Sequence, residues 1–586
     1  MGERSCRVEP VLIDGRHLLK KVDQHPAADR LLQTRRSFLR KAMATAATLT
    51  AADFLSFFFE FGPPKLSSRV AAAAKEAAAQ TDRPHFLIYW FLEGGWISYD
   101  MFSPVDTPNN VLHRLANISE ERYRVIKWKE DPFYRIFDDG RVRYGFLVKP
   151  GEHLLKDMAI VSSMYTGTFH SGERLKAHMG EYNLRITEER QEDERSVTQA
   201  FCEVYGQSYP LANISWHNWL SDGELNEAQF TGRRGYYHAL GPVWAHTIYA
   251  GTPHNLRQFL LKLHASTEDA TNKAVQSFLD DASSLVFKDS HIETVRSYQS
   301  ALEIYKKLMA TGSRLNQSLI SRLFTDPVLR EKFQITPEDE LITYTSVNGN
   351  KARTKYSPMT NVQAMMTWEL MRHGLSCAFW IESRDIRLFD SHRSRRALWD
   401  SAGRPVGMTD QTEMIRRNLW APLSTLVELL KTTEYGNTGT SYFDHTVIVI
   451  TSEFGRTIHG DVDAILKMNI PEEEKKRMVD EQDICQHWPV TSCAFLGGKV
   501  NGWTQFGGVG EKTLMPIPIL PDGRLDPAYD PVTGELKPGH SQNPQSFIPN
   551  HGHIYATALY LSDIDPKGKG RNTAPPLTFI KRPGLS

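Results

Sequence analysis

The chain has 586 residues, far more than one minimal core needs, so it reads as two or more units or as one large α/β domain carrying insertions. Hydrophobic residues make up 40% and charged residues 24%, an ordinary balance for a soluble globular protein. Lys plus Arg is 69 and Asp plus Glu is 69, which removes any whole-protein electrostatic argument for nucleic acid or an anionic membrane.

Residues 1–33 are polar with scattered charge, and Thr34-Arg35-Arg36-Ser37-Phe38-Leu39-Arg40 follows as a complete twin-arginine export signal. The stretch from Ala42 to Phe61 has the length of a membrane span, but Asp53 and Glu60 interrupt it. It fits a signal h-region of modest hydrophobicity better than a permanent anchor, so the membrane enters only through an uncleaved signal. The Ala-rich run from Val70 to Ala79 offers small residues for cleavage. The expectation is passage of the folded chain through the twin-arginine translocase to the periplasm or cell surface. Residues 34–80 are then signal and linker, and 81–586 form the mature domain.

The mature chain alternates strand and helix patterns. Continuous apolar runs at 85–92, 158–161, 377–381, 446–450 and 491–496 predict strands buried on both faces. Helical spacing of apolar residues covers 361–372 and 414–431, the latter through Leu419, Leu423, Leu426 and Leu430. Strand–helix–strand order predicts a mostly parallel sheet with helices on both faces, its ligand edge at the carboxyl ends of the strands. Residues 252–333 read as a helical insertion. Residues 515–548, rich in Pro, Gly and Asp, read as a long loop, a class that is usually functional or mobile.

Chemistry-bearing residues follow those strands. Glu93-Gly94-Gly95 leads to Asp100, a hard-metal donor or the cap of a tight turn. The segment 162–171 is dense in hydroxyls, and Ser163, Thr166, Thr168 and Ser171 are all nucleophile candidates once a metal or base lowers the hydroxyl pKa. Asp390 and His392 are two apart on an extended segment and can face one metal. Glu453 can bind metal or take a proton, and Arg456 can clamp an anion, although a Glu–Arg salt bridge is the plainer alternative. His487, and the pair His551 and His553 ahead of a helix over 554–561, complete the set. Acids and imidazoles recurring at successive strand ends are what a divalent metal site on an α/β scaffold requires. The five cysteines (6, 202, 377, 485 and 493) form no CxxC pair. Cys485 and Cys493 can pair only if the fold brings them close, and buried free thiols are the commoner arrangement.

The pattern resembles the exported bacterial family called domain of unknown function 1501, itself similar to the alkaline phosphatase and sulfatase superfamily. The match is carried by the twin-arginine signal, Phe91-Leu92-Glu93-Gly94-Gly95 with Asp100, Ser162-Ser163-Met164, residues 369–375 leading to Asp390-Ser391-His392, residues 449–457, His487-Trp488-Pro489 with Gly497-Gly498, and the closing helix around Ala556-Thr557-Ala558-Leu559. It spans about residues 85–565 apart from the helical insertion. The resemblance implies an alkaline-phosphatase-like α/β sandwich with one or two divalent metals (Zn, Mn or Ca). It implies metal ligands among Asp100, Asp390, His392, His487 and one of His551 or His553, and a hydroxyl that attacks a phosphate or sulfate ester of a small molecule or glycan. Three departures weigh against full activity: Gln486 stands where the family has Asp, Leu388-Phe389 replaces Gly-Trp, and the glycine turn reads Gly-Gly-Trp-Ile-Ser. No cysteine lies in the context that formylglycine formation needs, which argues against an ordinary sulfatase.

Two further functions share this scaffold. One is a catalytically degenerate binding or assembly subunit with a protein or glycan partner, using aromatics such as Trp488, Trp503 and Phe506. The other transfers a phospho-group between lipid or sugar carriers. Replacing both Arg35 and Arg36 with Lys is expected to leave the precursor in the cytoplasm. Immunoblotting of cell fractions checks this, and mature protein outside the inner membrane would overturn it.

Overall fold

A computed structural model describes residues 85–105, 136–180, 195–216, 245, 247–249, 256–257, 260–261, 317–336, 360–383, 415–456, 469–474, 487–511, 513–569 and 572–585. The export signal, Asp390, His392, Gln486, Cys485 and most of 252–333 lie outside them. All the described residues belong to one unit of the chain, Phe61–Ser586. Among them no helix is long and apolar enough to cross a membrane.

The centre is an eight-stranded sheet. In chain order its strands are β1 (Phe86–Leu92), β2 (Met158–Tyr165), β3 (Asn213–Ser215), β4 (Thr247–Tyr249), β5 (Ala378–Ser383), β6 (Thr446–Thr451), β9 (Val490–Gly497) and β10 (Thr504–Phe506). Two short strands outside it, β7 (Gly455–Arg456) and β8 (His487–Trp488), pair antiparallel with each other. The spatial order is β10-β2-β9-β6-β1-β5-β3-β4. β1 lies at the middle, parallel to both β5 and β6, and every residue of Phe86–Leu92 is buried. A strand covered on both faces has no solvent side to make polar, which explains the unbroken apolar run. Tyr89 stacks on Trp380 of β5 with centroids 4.5 Å apart and planes 6° from parallel.

The sequence predicts all five major strands, but one orientation differs from a uniformly parallel sheet. β9 runs antiparallel to both β6 and β2, with a register shift between Thr491 and Cys493. The reason is local. The β7–β8 pair returns the chain to the edge where β6 ended, so the next strand can only run away from that edge. β7 also lies tight against β9: a Cβ on Gly455 would stand 1.8 Å from the Val490 carbonyl oxygen, so only glycine fits there. The carboxyl ends of β1, β2, β5 and β6 and the amino end of β9 therefore share one edge.

Seven helices are used below: α1 (His170–Met179), α2 (Val197–Tyr205), α3 (Gln317–Thr325), α4 (Pro327–Lys332), α5 (Thr360–Arg372), α6 (Ala421–Thr432) and α7 (His551–Leu561). α2 and α5 pack on β5, and α7 packs against α1, α2 and β6. Of the expected insertion, α3 and α4 are helical. The helix expected over 414–431 is divided. Arg416–Trp420 forms a wide π turn, and α6 begins after it with Pro422 in its first turn. Proline has no N–H to give the Asn418 carbonyl four residues back, and the Thr360 hydroxyl donates to that carbonyl instead. The π turn also positions Trp420, whose Nε1 donates to the Leu147 carbonyl at 2.6 Å.

Residues 515–548 contain no regular helix or strand, as expected of a loop, yet the segment is tied down. Ile519 bridges both Leu525 and Phe547, and buried Asp526 accepts from the N–H groups of Ala528 and Asn543 at 2.9 Å each.

α7 begins three residues earlier than expected, at His551. Asn550 caps it: its side chain accepts from the His553 N–H, while the His553 ring accepts from the Asn550 N–H. This reciprocal cap satisfies amides that a helix start otherwise leaves open. Asn550→Ala is expected to lower stability by about 1 kcal/mol, measured by urea unfolding, and no change in the midpoint would show that the cap is energetically idle.

Candidate active site at the carboxyl edge of the sheet

The strand ends are joined through Glu453. Its Oε1 accepts from the Gly94 N–H at 2.8 Å, linking the end of β6 to the end of β1. Ser452 Oγ donates to the Leu92 carbonyl at 2.6 Å and approaches Glu453 Oε2 at 3.1 Å. Arg456 is fully buried; its Nε donates to the carbonyls of Gly94 at 2.8 Å and Gly95 at 3.3 Å, and its guanidinium lies over the Phe454 ring. Glu453 and Arg456 thus grip the two faces of the same glycine turn, one through its N–H and the other through its carbonyls. They work as a strand-end clamp.

Two histidines from the sequence reading, His551 and His487, touch the clamp segment, and a third, His553, lies beyond them on α7. His551 is the first residue of α7, and only 2% of its surface is exposed. Its Nε2–H donates to the Glu453 carbonyl at 2.9 Å, which leaves a lone pair on Nδ1. That Nδ1 is buried without a hydrogen-bond partner among the described residues. Burial pushes the His551 pKa below the ordinary value, partly opposed by the nearby Glu173 carboxylate. The ring is neutral at pH 7, the form that binds a metal or accepts a proton. His487 on β8 donates from Nδ1 to the Thr168 carbonyl at 2.6 Å and stacks on Phe454 with centroids 4.3 Å apart. In the neutral ring that bond places the lone pair on Nε2. His553, two residues into α7, is taken up by the helix cap and stacks on Phe547 at 4.9 Å.

The hydroxyl segment follows β2. Thr166 is buried; its N–H donates to the Pro489 carbonyl at 2.8 Å and its Oγ1 to the Gly167 carbonyl at 3.1 Å. Thr168 is exposed, and Ser171 lies in the first turn of α1. Ser163 turns the other way, with its Oγ accepting from the Gly508 N–H at 3.1 Å. Asp100 closes a buried turn at Ser98–Asp100, and the neighbouring Trp96 Nε1 donates to Thr491 Oγ1 of β9 at 2.7 Å.

The structure adds residues that the sequence reading did not select. Glu173 and Lys176 sit on α1, with Lys176 Nζ 2.6 Å from Glu173 Oε1. A Cβ on Gly167 would come within 2.3 Å of that same oxygen, so the loop after β2 lies directly on Glu173. Glu173 Oε2 is buried and, like His551 Nδ1, has no hydrogen-bond partner among the described residues. One turn face further, Arg174 forms a buried ion pair with Glu93 at the end of β1. Glu382 of β5 stands beside that pair, with Trp380 Nε1 donating to its Oε2 at 2.9 Å. Burial and the Glu93 carboxylate raise the Glu382 pKa well above the ordinary carboxylate range, partly opposed by Arg174, and this favours its neutral form. The available signal was spacing: Glu173, Arg174 and Lys176 open a helix directly after the hydroxyl segment.

Among the described residues, no group of three or more His, Cys, Asp or Glu is arranged to hold a metal ion. Two of the expected ligands, Asp390 and His392, fall outside those residues.

No protein-family model matches the sequence. No curated protein matches it by sequence. Among solved structures, the chain is similar to the lipoteichoic acid synthase LtaP from Listeria monocytogenes at a TM-score of 0.32 and 9% identity, covering 89% of this chain and 80% of that one. It is also similar to the PsFucS1 sulfatase from Pseudoalteromonas sp. at a TM-score of 0.27 and 12% identity, covering 86% of this chain and 73% of that one. Neither likeness assigns an activity to this chain.

Burial lowers the His553 pKa to about 4, below its unfolded value near 6.5. The folded state therefore favours the neutral ring, and that stability is present above pH 6.5 and lost as pH falls toward 4. The loss is about 2–3 kcal/mol from this residue. Urea midpoints at pH 7.5 and 4.5 are expected to differ less for His553→Gln than for the wild type. Equal acid losses in the two proteins would assign the effect elsewhere.

Proposed function

We propose that the protein is an exported hydrolase of phosphate or sulfate esters whose reaction takes place at the carboxyl edge of the sheet. The observation that carries this reading is the pair of buried lone pairs on His551 Nδ1 and Glu173 Oε2, beside a loop rich in hydroxyls. Buried acceptors are normally satisfied, so two of them at one strand edge call for a donor or a cation between them. One imidazole nitrogen and one carboxylate oxygen form a donor set suited to Zn or Mn. His551 and Glu173 would hold such an ion, with His487 and the predicted ligands Asp100, Asp390 and His392 as further donors. The ion would polarise an ester oxygen and favour ionisation of a hydroxyl.

The chain's own residues supply the rest. The Glu453 carbonyl fixes the His551 tautomer so that Nδ1 presents its lone pair. Lys176 keeps positive charge next to Glu173, where an anionic substrate gains from it. Thr166, Thr168 and Ser171 are the candidate nucleophiles. Arg456 donates to the carbonyls of the glycine turn, and its part is to hold the clamp. That same engagement of Glu453 and Arg456 favours the second reading, a non-catalytic binding subunit on this scaffold.

Metal analysis of purified mature protein, together with turnover of an aryl phosphate and an aryl sulfate, decides between them. The expected result is one or two equivalents of divalent metal, with His551→Ala and Glu173→Gln each lowering metal content and reducing kcat/KM by at least about 100-fold. Protein without metal and without turnover of either ester would leave the binding subunit as the surviving reading.

A further inference from the structure

Cys202 lies on α2, and Cys377 immediately precedes β5. Both side chains are fully buried, and their sulfur atoms are 3.9 Å apart although 175 residues separate them in sequence. The backbone on both sides is pinned. The N–H groups of Cys377 and Ala378 donate to the Ala212 carbonyl at 3.1 and 2.9 Å, and Ser376 Oγ donates to the same oxygen at 2.9 Å. α2 is capped by Ser196, and Tyr205 at its far end donates from its hydroxyl to the Ser562 carbonyl at 2.8 Å. Side-chain rotation is the freedom left to the two thiols, and bonded sulfurs would be closer by about 1.9 Å.

We propose that Cys202 and Cys377 form a modification site that closes to a disulfide when the chain meets a disulfide oxidant. The thiolate of one cysteine attacks the oxidant's S–S bond and expels one thiol, leaving a mixed disulfide. The second cysteine attacks the protein sulfur of that mixed disulfide and expels the second thiol. The pair loses two protons and two electrons, and the oxidant's disulfide becomes two thiols. Burial and the adjacent Cys377 raise the Cys202 pKa, so attack is slow in the closed fold and proceeds as the chain folds or as α2 lifts. Cys493 is also buried, but it sits on β9, three strands from β5, and cannot join the exchange. The bond would tie α2 to the sheet. Through Tyr205 and Ser562, α2 in turn braces the helix that carries His551.

The test uses the full chain, incubated with oxidised glutathione or with dithiothreitol, then denatured, alkylated and digested for peptide mass mapping. The expected result is loss of two of the five alkylatable thiols on oxidation, with a Cys202–Cys377 linked peptide that dithiothreitol removes. Cys493→Ala leaves the linkage in place, and Cys202→Ser abolishes it. Five alkylatable thiols after oxidation, a glutathione adduct in place of the linked peptide, or linkage of either residue to another cysteine overturns the proposal. The mapping is made on the wild-type chain, so it does not depend on a variant folding.

Discussion

The edge of this sheet depends on one residue, Glu453. Its carboxylate accepts from the Gly94 N–H, and its carbonyl accepts from His551 Nε2. A single side chain and its own peptide group thereby fix the ends of β6 and β1 and the start of α7. A typical intramolecular hydrogen bond contributes about 0.5–1.5 kcal/mol, and leaving a buried partner unsatisfied costs about 1–3 kcal/mol. Arg456 adds the complementary grip on the Gly94 and Gly95 carbonyls. Without these bonds the glycine turn would leave its N–H and carbonyls without partners in a region closed to water.

The clamp has a chemical consequence. Because the Glu453 carbonyl takes the Nε2 proton, His551 is held in one tautomer with its Nδ1 lone pair directed away from the clamp. Glu173 approaches from α1, and the loop after β2 lies against its Oε1 at Gly167. The site is therefore assembled from four separated parts of the chain: the end of β1, the stretch from the end of β2 into α1, the end of β6, and the first turn of α7. Charge is distributed unevenly across it. Glu93 is paired with Arg174 and Glu173 with Lys176, while burial and Glu93 raise the Glu382 pKa and favour its uncharged form, which limits repulsion among the carboxylates.

Residues that look alike in sequence separate into different roles. His551 and His553 share the short segment Asn550–His553, yet one faces the clamp and the other closes the helix cap. Helix geometry explains the division, since positions two apart point about 200° from each other around the axis. Ser163 on β2 and Thr166 just after it divide in the same way. Alternation along the strand and its irregular end send the Ser163 hydroxyl toward Gly508 and leave Thr166 beside the loop over Glu173.

The sequence by itself located the strands, because a strand buried on both faces is apolar throughout, and runs such as 86–92 and 446–450 are short and rich in β-branched or aromatic residues. It also located the chemistry-bearing segments, which follow those strands. Tertiary structure alone decided the direction of β9, since that depends on where β7 and β8 return the chain. It alone showed what Glu173, Arg174 and Glu382 meet: Glu173 lies near His551, and Arg174 and Glu382 both meet Glu93, partners far along the chain that spacing does not name. It also turned Glu453 and Arg456 from separate site residues into a clamp on one glycine turn, because hydrogen bonds to backbone groups leave no mark in the order of side chains.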